Sequence, residues 1–373
     1  MKTALLHYWL TNRRGGENVF REIANLFPAA DIYTHAYNPA VMGDWFEGHP
    51  IHETFIGRML PFARTKCQIY LPLMFRAARQ IDLSDYDLII SSESGPIKGI
   101  NKPAHARHIC YCHTPMRYLW DMYEEYYRTA GIGGKIAMKM FRHSLRRADL
   151  KSADSVDTFV ANSKFVARRI RRIYKRESQV IYPMVNYKFF SSGEKVEKKD
   201  YYLLAGQLVP YKRPDIAIGA CLRLGRKLVI VGSGPRVDEL KRKVGSNDHI
   251  QFVGRVSDEE LRRRYAEARA LLFPGVEDFG IVPLEAMSAG TPVLALGVGG
   301  ALETVVDGQT GLFFTAQTAG SLCSCIEEFE SRTWTPTACQ MRAAKFGPEH
   351  FRQAFRSLVD GRGGDAKREW DGK

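Results

Sequence analysis

The stretch Phe273–Gly290, FPGVEDFGIVPLEAMSAG, decides how this chain is read. Ala270–Phe273 is a short apolar run, the pattern of a buried strand, and Pro274-Gly275 punctuates it. From Ile281 to Met287 the pattern is helical. Ile281, Leu284 and Met287 share one face, and Gly290 with Pro292 stops the helix. Glu277 therefore falls in a strand-to-helix loop, and Glu285 in the first turns of the helix. Phe279, Gly280 and Ile281, with Val282 next, lie at the helix start. The amides and dipole of a helix N-terminus attract anions. Carboxylates beside such a terminus can accept hydrogen bonds from sugar hydroxyls while the amides face phosphate, which outlines a sugar-nucleotide site. Glu277 and Asp278 would also suit an ordinary first turn, so the two glutamates alone leave both readings open.

The longer string narrows the choice. EDFGIVPLEAMSAGTPVLA, followed by GGALETVVDGQTGLFF, resembles the donor-binding signature of the retaining glycosyltransferases of family 4, which have the GT-B fold. EDFGIVPLEAM and GGALETV are most similar to the subgroup around the O-antigen mannosyltransferase WbaZ. The resemblance runs from the first strand to about Phe355. It implies an α/β chain of two Rossmann-like, doubly wound parallel-sheet domains facing a central cleft, with the donor on the second domain and the acceptor on the first. Glu285 is then expected on the ribose hydroxyls, with Glu277 and the Phe279–Ile281 amides on the sugar. Lys212 is expected on the leaving diphosphate. The resemblance also implies retention of anomeric configuration. No metal ligand is assigned, because Lys212 and the helix terminus take that role, and no cofactor is expected beyond the nucleotide-sugar donor substrate. GDP-mannose is the expected donor, with UDP-glucose or UDP-galactose as the alternative. A polyprenyl-diphosphate-linked saccharide is the expected acceptor. A nucleotide-sugar-binding subunit without transfer activity is a further alternative.

Composition agrees with a globular chain of two domains: 373 residues, 45% hydrophobic and 25% charged. There is no run of about 18 apolar residues that would span a membrane. Met1-Lys2-Thr3 leads straight into a strand, so no signal peptide is expected, and the seven cysteines fit a reducing compartment. The pairs Cys110/Cys112 and Cys323/Cys325 lack the spacing of a zinc site. The net charge of +13 suits nucleic acid, an anionic membrane or an acidic substrate. No nucleic-acid-binding module is present. The expected location is cytoplasmic, peripheral on the inner membrane face.

The first half alternates strands and helices. Thr3–Trp9 reads as a strand, Asn12–Glu17 as a glycine loop containing Gly15 and Gly16, and Asn18–Phe27 as a helix. In the family a matching Gly-Gly loop lies near donor phosphate and acceptor; a tight turn explains the pair equally well. Phe62–Arg79 reads as one helix. Asp85 and Asp87 match a D-x-D metal motif but read as a turn before the strand Leu88–Ser91. His108–His113 is the next strand. His113 stands at a strand end, where ligands bind in open α/β sheets, and His113-Thr114-Pro115 resembles the family's sugar-contacting histidine. The aromatics of Met116–Tyr127 suit acceptor stacking, a lid or core. Gly134–Arg176 is rich in lysine and arginine beside Ile136, Met140 and Leu145, the pattern of a helix on an anionic membrane or of a solvated face.

Residues 1–187 are expected to form the acceptor-side domain, 188–345 the donor domain, 346–360 a helix crossing back, and 361–373 a disordered tail; Asn186–Lys199 reads as a linker. In the donor domain, Gln207 stands where family members usually carry arginine, five residues before Lys212. That substitution removes one expected phosphate cation and brings Arg213 into question as a replacement. Gly232 and Gly234 match the family's G-x-G-P near the nucleotide, and Val253 lies in the segment that resembles its base-contacting strand.

Overall fold

The computed structural model describes residues 1–191 and 196–361. It contains two parallel sheets. The first comprises β1 (Thr3–His7), β2 (Asp31–Thr34), β3 (Ile51–Glu53), β4 (Leu88–Glu93), β5 (Arg107–Cys112), β6 (Thr158–Ala161) and β7 (Ser178–Val180), in the order β3-β2-β1-β4-β5-β6-β7. The second comprises β8 (Tyr202–Ala205), β9 (Leu228–Val231), β10 (Ile250–Gly254), β11 (Leu271–Phe273), β12 (Val293–Leu296) and β13 (Gly311–Phe314), in the order β10-β9-β8-β11-β12-β13. Every pairing is parallel. Parallel strands are covered on both faces, so they appear in sequence as continuous apolar runs. Leu5, Ile90, Ile109, Leu203, Leu271 and Leu294 are accordingly fully buried. In each sheet the strand order reverses beside the first strand, between β1 and β4 and between β8 and β11. Ligand sites of doubly wound sheets lie at such switch points.

The chain divides into a unit of Met1–Tyr182 with Arg352–Lys373 and a unit of Pro183–Phe351. The last helix, Pro348–Val359, thus contributes its C-terminal part to the first unit. There Phe355 is buried near Tyr111, and the Arg107 guanidinium donates to the carbonyls of Leu358 and Val359. The expected tail lies outside the described residues, apart from Gly361.

Three local expectations are corrected. The glycine loop is shorter than read: the helix Gly15–Leu26 begins at the first glycine. Phe62–Arg79 is not one helix but Ala63–Lys66, a 3₁₀ turn Cys67–Tyr70 and Leu71–Arg79. Pro72 accounts for the break, since it cannot donate within a helix and is tolerated at a helix start. The linker contains the helix Tyr187–Phe190, whose Phe190 is buried edge-on against Tyr265 at 5.7 Å. The remaining linker residues are irregular or lie outside the described residues.

A buried ionic network braces the first unit. Lys98 Nζ lies 2.9 Å from both Glu93 Oε1 and Asp149 Oδ1. Asp149 also accepts from Trp120 Nε1 at 2.7 Å and from the Tyr174 hydroxyl. Burial opposes the Lys98 charge, but Asp149 and Glu93 hold its ammonium well above the usual lysine range. Trp120, with Met116 and Leu119 packed on Phe75 and Leu145, shows that much of the aromatic stretch serves the core. Lys98→Ala is expected to destabilise the protein by about 3–5 kcal/mol, because two buried carboxylates lose their cation. Urea denaturation checks this; a change below about 1 kcal/mol would show that the network relaxes without it.

Candidate active site

In the second unit, the loops that leave β8 and β11 at the switch point carry the candidate residues. After β8 the chain passes Gly206 and Gln207 into the short 3₁₀ turn Pro210–Lys212. Lys212 Nζ meets Glu277 Oε1 at 2.9 Å, with both side chains largely buried. The helix Ile281–Ser288 starts at Gly280, whose φ of 89° is left-handed and leaves room for a turn that no branched residue would adopt. The loop before it is held from behind. The Gly300 amide donates to the Glu277 carbonyl at 2.9 Å, and a Cβ on Gly300 would lie 2.3 Å from Phe279 Cα. Gly299-Gly300 is therefore a backbone cradle that fixes Glu277 through Phe279.

Glu285 lies one helical turn further on and accepts from the Tyr265 hydroxyl at 2.8 Å. Burial pushes its carboxyl up to about 7; the Tyr265 hydrogen bond and Lys212 lower it, and Asp258 adds to the rise. The site thus combines a lysine, a paired carboxylate and a second carboxylate that titrates near neutrality. Perturbed carboxyls in such a setting mark functional sites.

Gly232 and Gly234 pack against the other loop. A Cβ on Gly232 would fall 1.9 Å from the Gly206 carbonyl oxygen, and one on Gly234 would fall 2.4 Å from that of Leu208. Their smallness sets the approach of the two loops. Val253 falls where the β9–β10 register shifts, between Phe252 and Gly254. Arg213 is not a spare cation: its guanidinium binds both oxygens of Asp215. Gln207 forms part of the loop opposite Ser233, with Leu208 N donating to Ser233 O at 3.0 Å. The sequence reading did not single out Tyr265 or Arg255. Arg255 Nε donates to Ser233 Oγ at 2.9 Å, which puts a guanidinium on the Gly232–Pro235 loop. A basic residue directly after the β10 strand was the available signal.

In the first unit, His113 Nε2 lies 2.9 Å from Ser92 Oγ, at the ends of β5 and β4. A Cβ on Gly16 would be 3.6 Å from that nitrogen, so the Gly15-Gly16 helix start and His113 form one group. Burial, reinforced by His7, lowers the His113 pKa to about 3, which leaves a neutral hydrogen-bonding imidazole. Asp85 and Asp87 sit apart from this group and pair with Lys2, whose amide donates to Asp87 Oδ2 at 2.7 Å.

Residues 13–189 match the family model Glycosyltransferase Family 4, and residues 186–346 match Glycosyl transferases group 1. The chain carries both glycosyltransferase domains. Its two Rossmann-like parallel-sheet units are those of the GT-B fold. It superposes on Anabaena HepE, solved with UDP, at TM-score 0.70 and 18% identity, covering 97% of this chain and 100% of that one. It superposes on sucrose-phosphate synthase from Thermosynechococcus elongatus at TM-score 0.72 and 19% identity, covering 97% and 99%. Among curated relatives, a D-inositol 3-phosphate glycosyltransferase of Mycobacterium sp. (strain KMS) is 27% identical over 48% of this chain and 46% of its own length. A GDP-mannose-dependent alpha-(1-6)-phosphatidylinositol monomannoside mannosyltransferase of Mycobacterium tuberculosis is 36% identical over 33% of this chain and 36% of its own. The chain thus spans about half the length of the first of these relatives, or less.

Proposed function

We propose that this glycosyltransferase moves a hexose, mannose from GDP-mannose, onto a polyprenyl-diphosphate-linked saccharide with retention of configuration. The reaction belongs to O-antigen or exopolysaccharide synthesis on the inner face of the cytoplasmic membrane. The observation that carries the reading is the Lys212–Glu277 pair beside the Gly280 helix start, with Glu285 anchored one turn away. The mannose donor is supported by the wording EDFGIVPLEAM and by the GDP-mannose-dependent relative. A UDP-hexose donor is the second reading, favoured by the fold shared with HepE, which was solved with UDP and with UDP-glucose.

In this scheme Glu285 accepts from the ribose hydroxyls. Glu277 and the Phe279–Val282 amides orient the hexose, and Lys212 with the helix terminus stabilises negative charge growing on the diphosphate. The bond from the anomeric carbon to the phosphate oxygen breaks, and the bond to the acceptor oxygen forms on the same face. The acceptor proton passes to the departing phosphate, so no side-chain nucleophile is assigned. Neutral His113, with the Gly15-Gly16 helix start, offers hydrogen bonds to a sugar hydroxyl on the first unit.

The test is transfer of label from GDP-mannose or UDP-glucose onto a lipid fraction, run in excess chelator. Label from GDP-mannose that persists with chelator is expected. Label from UDP-glucose alone selects the second reading. Nucleotide binding without any transfer identifies a binding subunit. Activity lost to chelator and restored by Mn²⁺ or Mg²⁺ would overturn the metal-independent scheme.

A further inference from the structure

The basic stretch Gly134–Arg176 is only partly available to a partner. Arg142 stacks on the Tyr123 ring at 3.7 Å, and Arg146 donates to the Leu119 carbonyl. Arg169 and Arg172 pair with Asp121, and Arg171 with Glu177. What the fold leaves outward is a different combination. The helix Ile132–Ser152 buries only Leu145, Asp149 and Ser152, all in its C-terminal half. Its N-terminal half carries Ile132, Ile136 and Met140, spaced by four residues along one side and 82%, 61% and 64% exposed. No helix of the described residues is long and apolar enough to cross a membrane.

A second segment adjoins this helix. Leu71 and Phe75 share an apolar cluster with Phe141 and Leu145. From that segment Phe62 projects, 70% exposed and held in the left-handed region at φ 58°, with Ile69 also exposed. Such backbone is unfavourable for an aromatic residue and is kept where the surroundings impose it. No aspartate or glutamate occurs from Thr54 to Ile81, nor from Tyr126 to Ala148, and the two segments carry five and six lysines and arginines. Glu53 reaches in to pair with Arg64 at 3.2 Å, but neither segment brings a carboxylate of its own, and large apolar side chains amid cations match an anionic lipid surface in both charge and polarity. A nucleic-acid partner would not call for several bulky apolar tips, and the basic charge carried by both segments favours anionic lipid over a protein face.

We infer that Phe62 with the Ile132–Met140 row forms a membrane-docking surface, inserting its apolar tips among anionic lipid headgroups while neighbouring lysines and arginines meet the phosphates. The inference rests on the proposed function only for the acceptor that such docking would serve. The test is co-sedimentation of the full chain with phosphatidylcholine vesicles containing about a third phosphatidylglycerol, against phosphatidylcholine alone. Phe62→Ser, Ile136→Ser and Met140→Ser together keep every charge and touch only exposed positions. The triple variant is expected to bind roughly a hundredfold more weakly, with its melting temperature and its transfer to a water-soluble saccharide unchanged. Lys135→Glu with Lys139→Glu should also weaken binding and flatten its salt dependence. Equal vesicle binding by wild type and triple variant, or wild-type binding indifferent to phosphatidylglycerol, would overturn the surface. Absence of transfer from either donor, with vesicle binding intact, would instead remove the glycosyl-transfer reading and leave the surface standing.

Discussion

Lys212→Ala is expected to lower turnover by about two to three orders of magnitude, the effect of removing one preorganised donor from developing charge. The lysine is well placed for this. Its ammonium is largely buried, Gly206 leaves it room because a Cβ there would stand only 3.3 Å from Nζ, and Glu277 fixes its position at 2.9 Å. A buried cation acts more strongly than one in water, because little solvent competes for the phosphate oxygens. Nucleotide affinity should fall less than turnover if the lysine acts mainly on the transition state. Glu277→Gln separates orientation from charge: it keeps the shape of the side chain, loosens the lysine and should also reduce turnover more than binding. The double variant should cost less than the sum of the two single changes, since the residues act as one unit. Initial rates and titration calorimetry with the nucleoside diphosphate decide the matter. Wild-type turnover in Lys212→Ala would remove the lysine from the mechanism.

The sequence made the architecture legible where burial imposed a local pattern. Apolar runs such as Leu88–Ile90 and Val293–Leu296 are strands because parallel sheets are covered on both faces. Glycines that punctuate such runs marked the loops, although not their purpose. Gly232 is needed because the Gly206 carbonyl lies where its Cβ would be, a constraint that exists only once β8 and β9 are paired. Errors arose where local rules competed. Gly15 and Gly16 read as loop because glycine disfavours helix interiors, yet a first turn tolerates it. Ile51–Glu53 went unread, being a three-residue edge strand with histidine and glutamate in it. The basic stretch read as a surface, while much of it neutralises Asp121 and Glu177 or stacks on aromatics. The partner of Glu285 was also invisible, since Tyr265 lies 20 residues away and meets it only through tertiary packing.

That tyrosine-bound glutamate gives the second large effect. Glu285→Gln is expected to weaken binding of the nucleoside diphosphate roughly a hundredfold, because hydrogen bonds to a charged acceptor exceed those to a neutral one by about 1–2 kcal/mol and two ribose hydroxyls are involved. The same variant should be more stable than wild type above neutrality. Burial raises the Glu285 pKa from 4.5 to about 7. Below pH 4.5 both folded and unfolded states hold the proton. Between 4.5 and 7 only the folded state holds it, so stability declines as pH rises, and above 7 the full cost of the buried charge appears as lost stability, on the order of 3 kcal/mol. Glutamine carries no such charge and can still accept from Tyr265. Its melting temperature at pH 8 should therefore exceed that of wild type by several degrees, with the difference shrinking toward pH 5. Affinity should move in the opposite sense. Wild type should bind more tightly as pH rises from 6 to 8 and the carboxylate forms, whereas the variant supplies the baseline titration of the nucleotide itself. The ratio of the two affinities isolates the carboxylate. A ratio that stays constant across this range, or equal affinities at pH 8, would take Glu285 off the ribose; a melting temperature that falls in the variant would show that its carboxylate is stabilised by contacts beyond Tyr265.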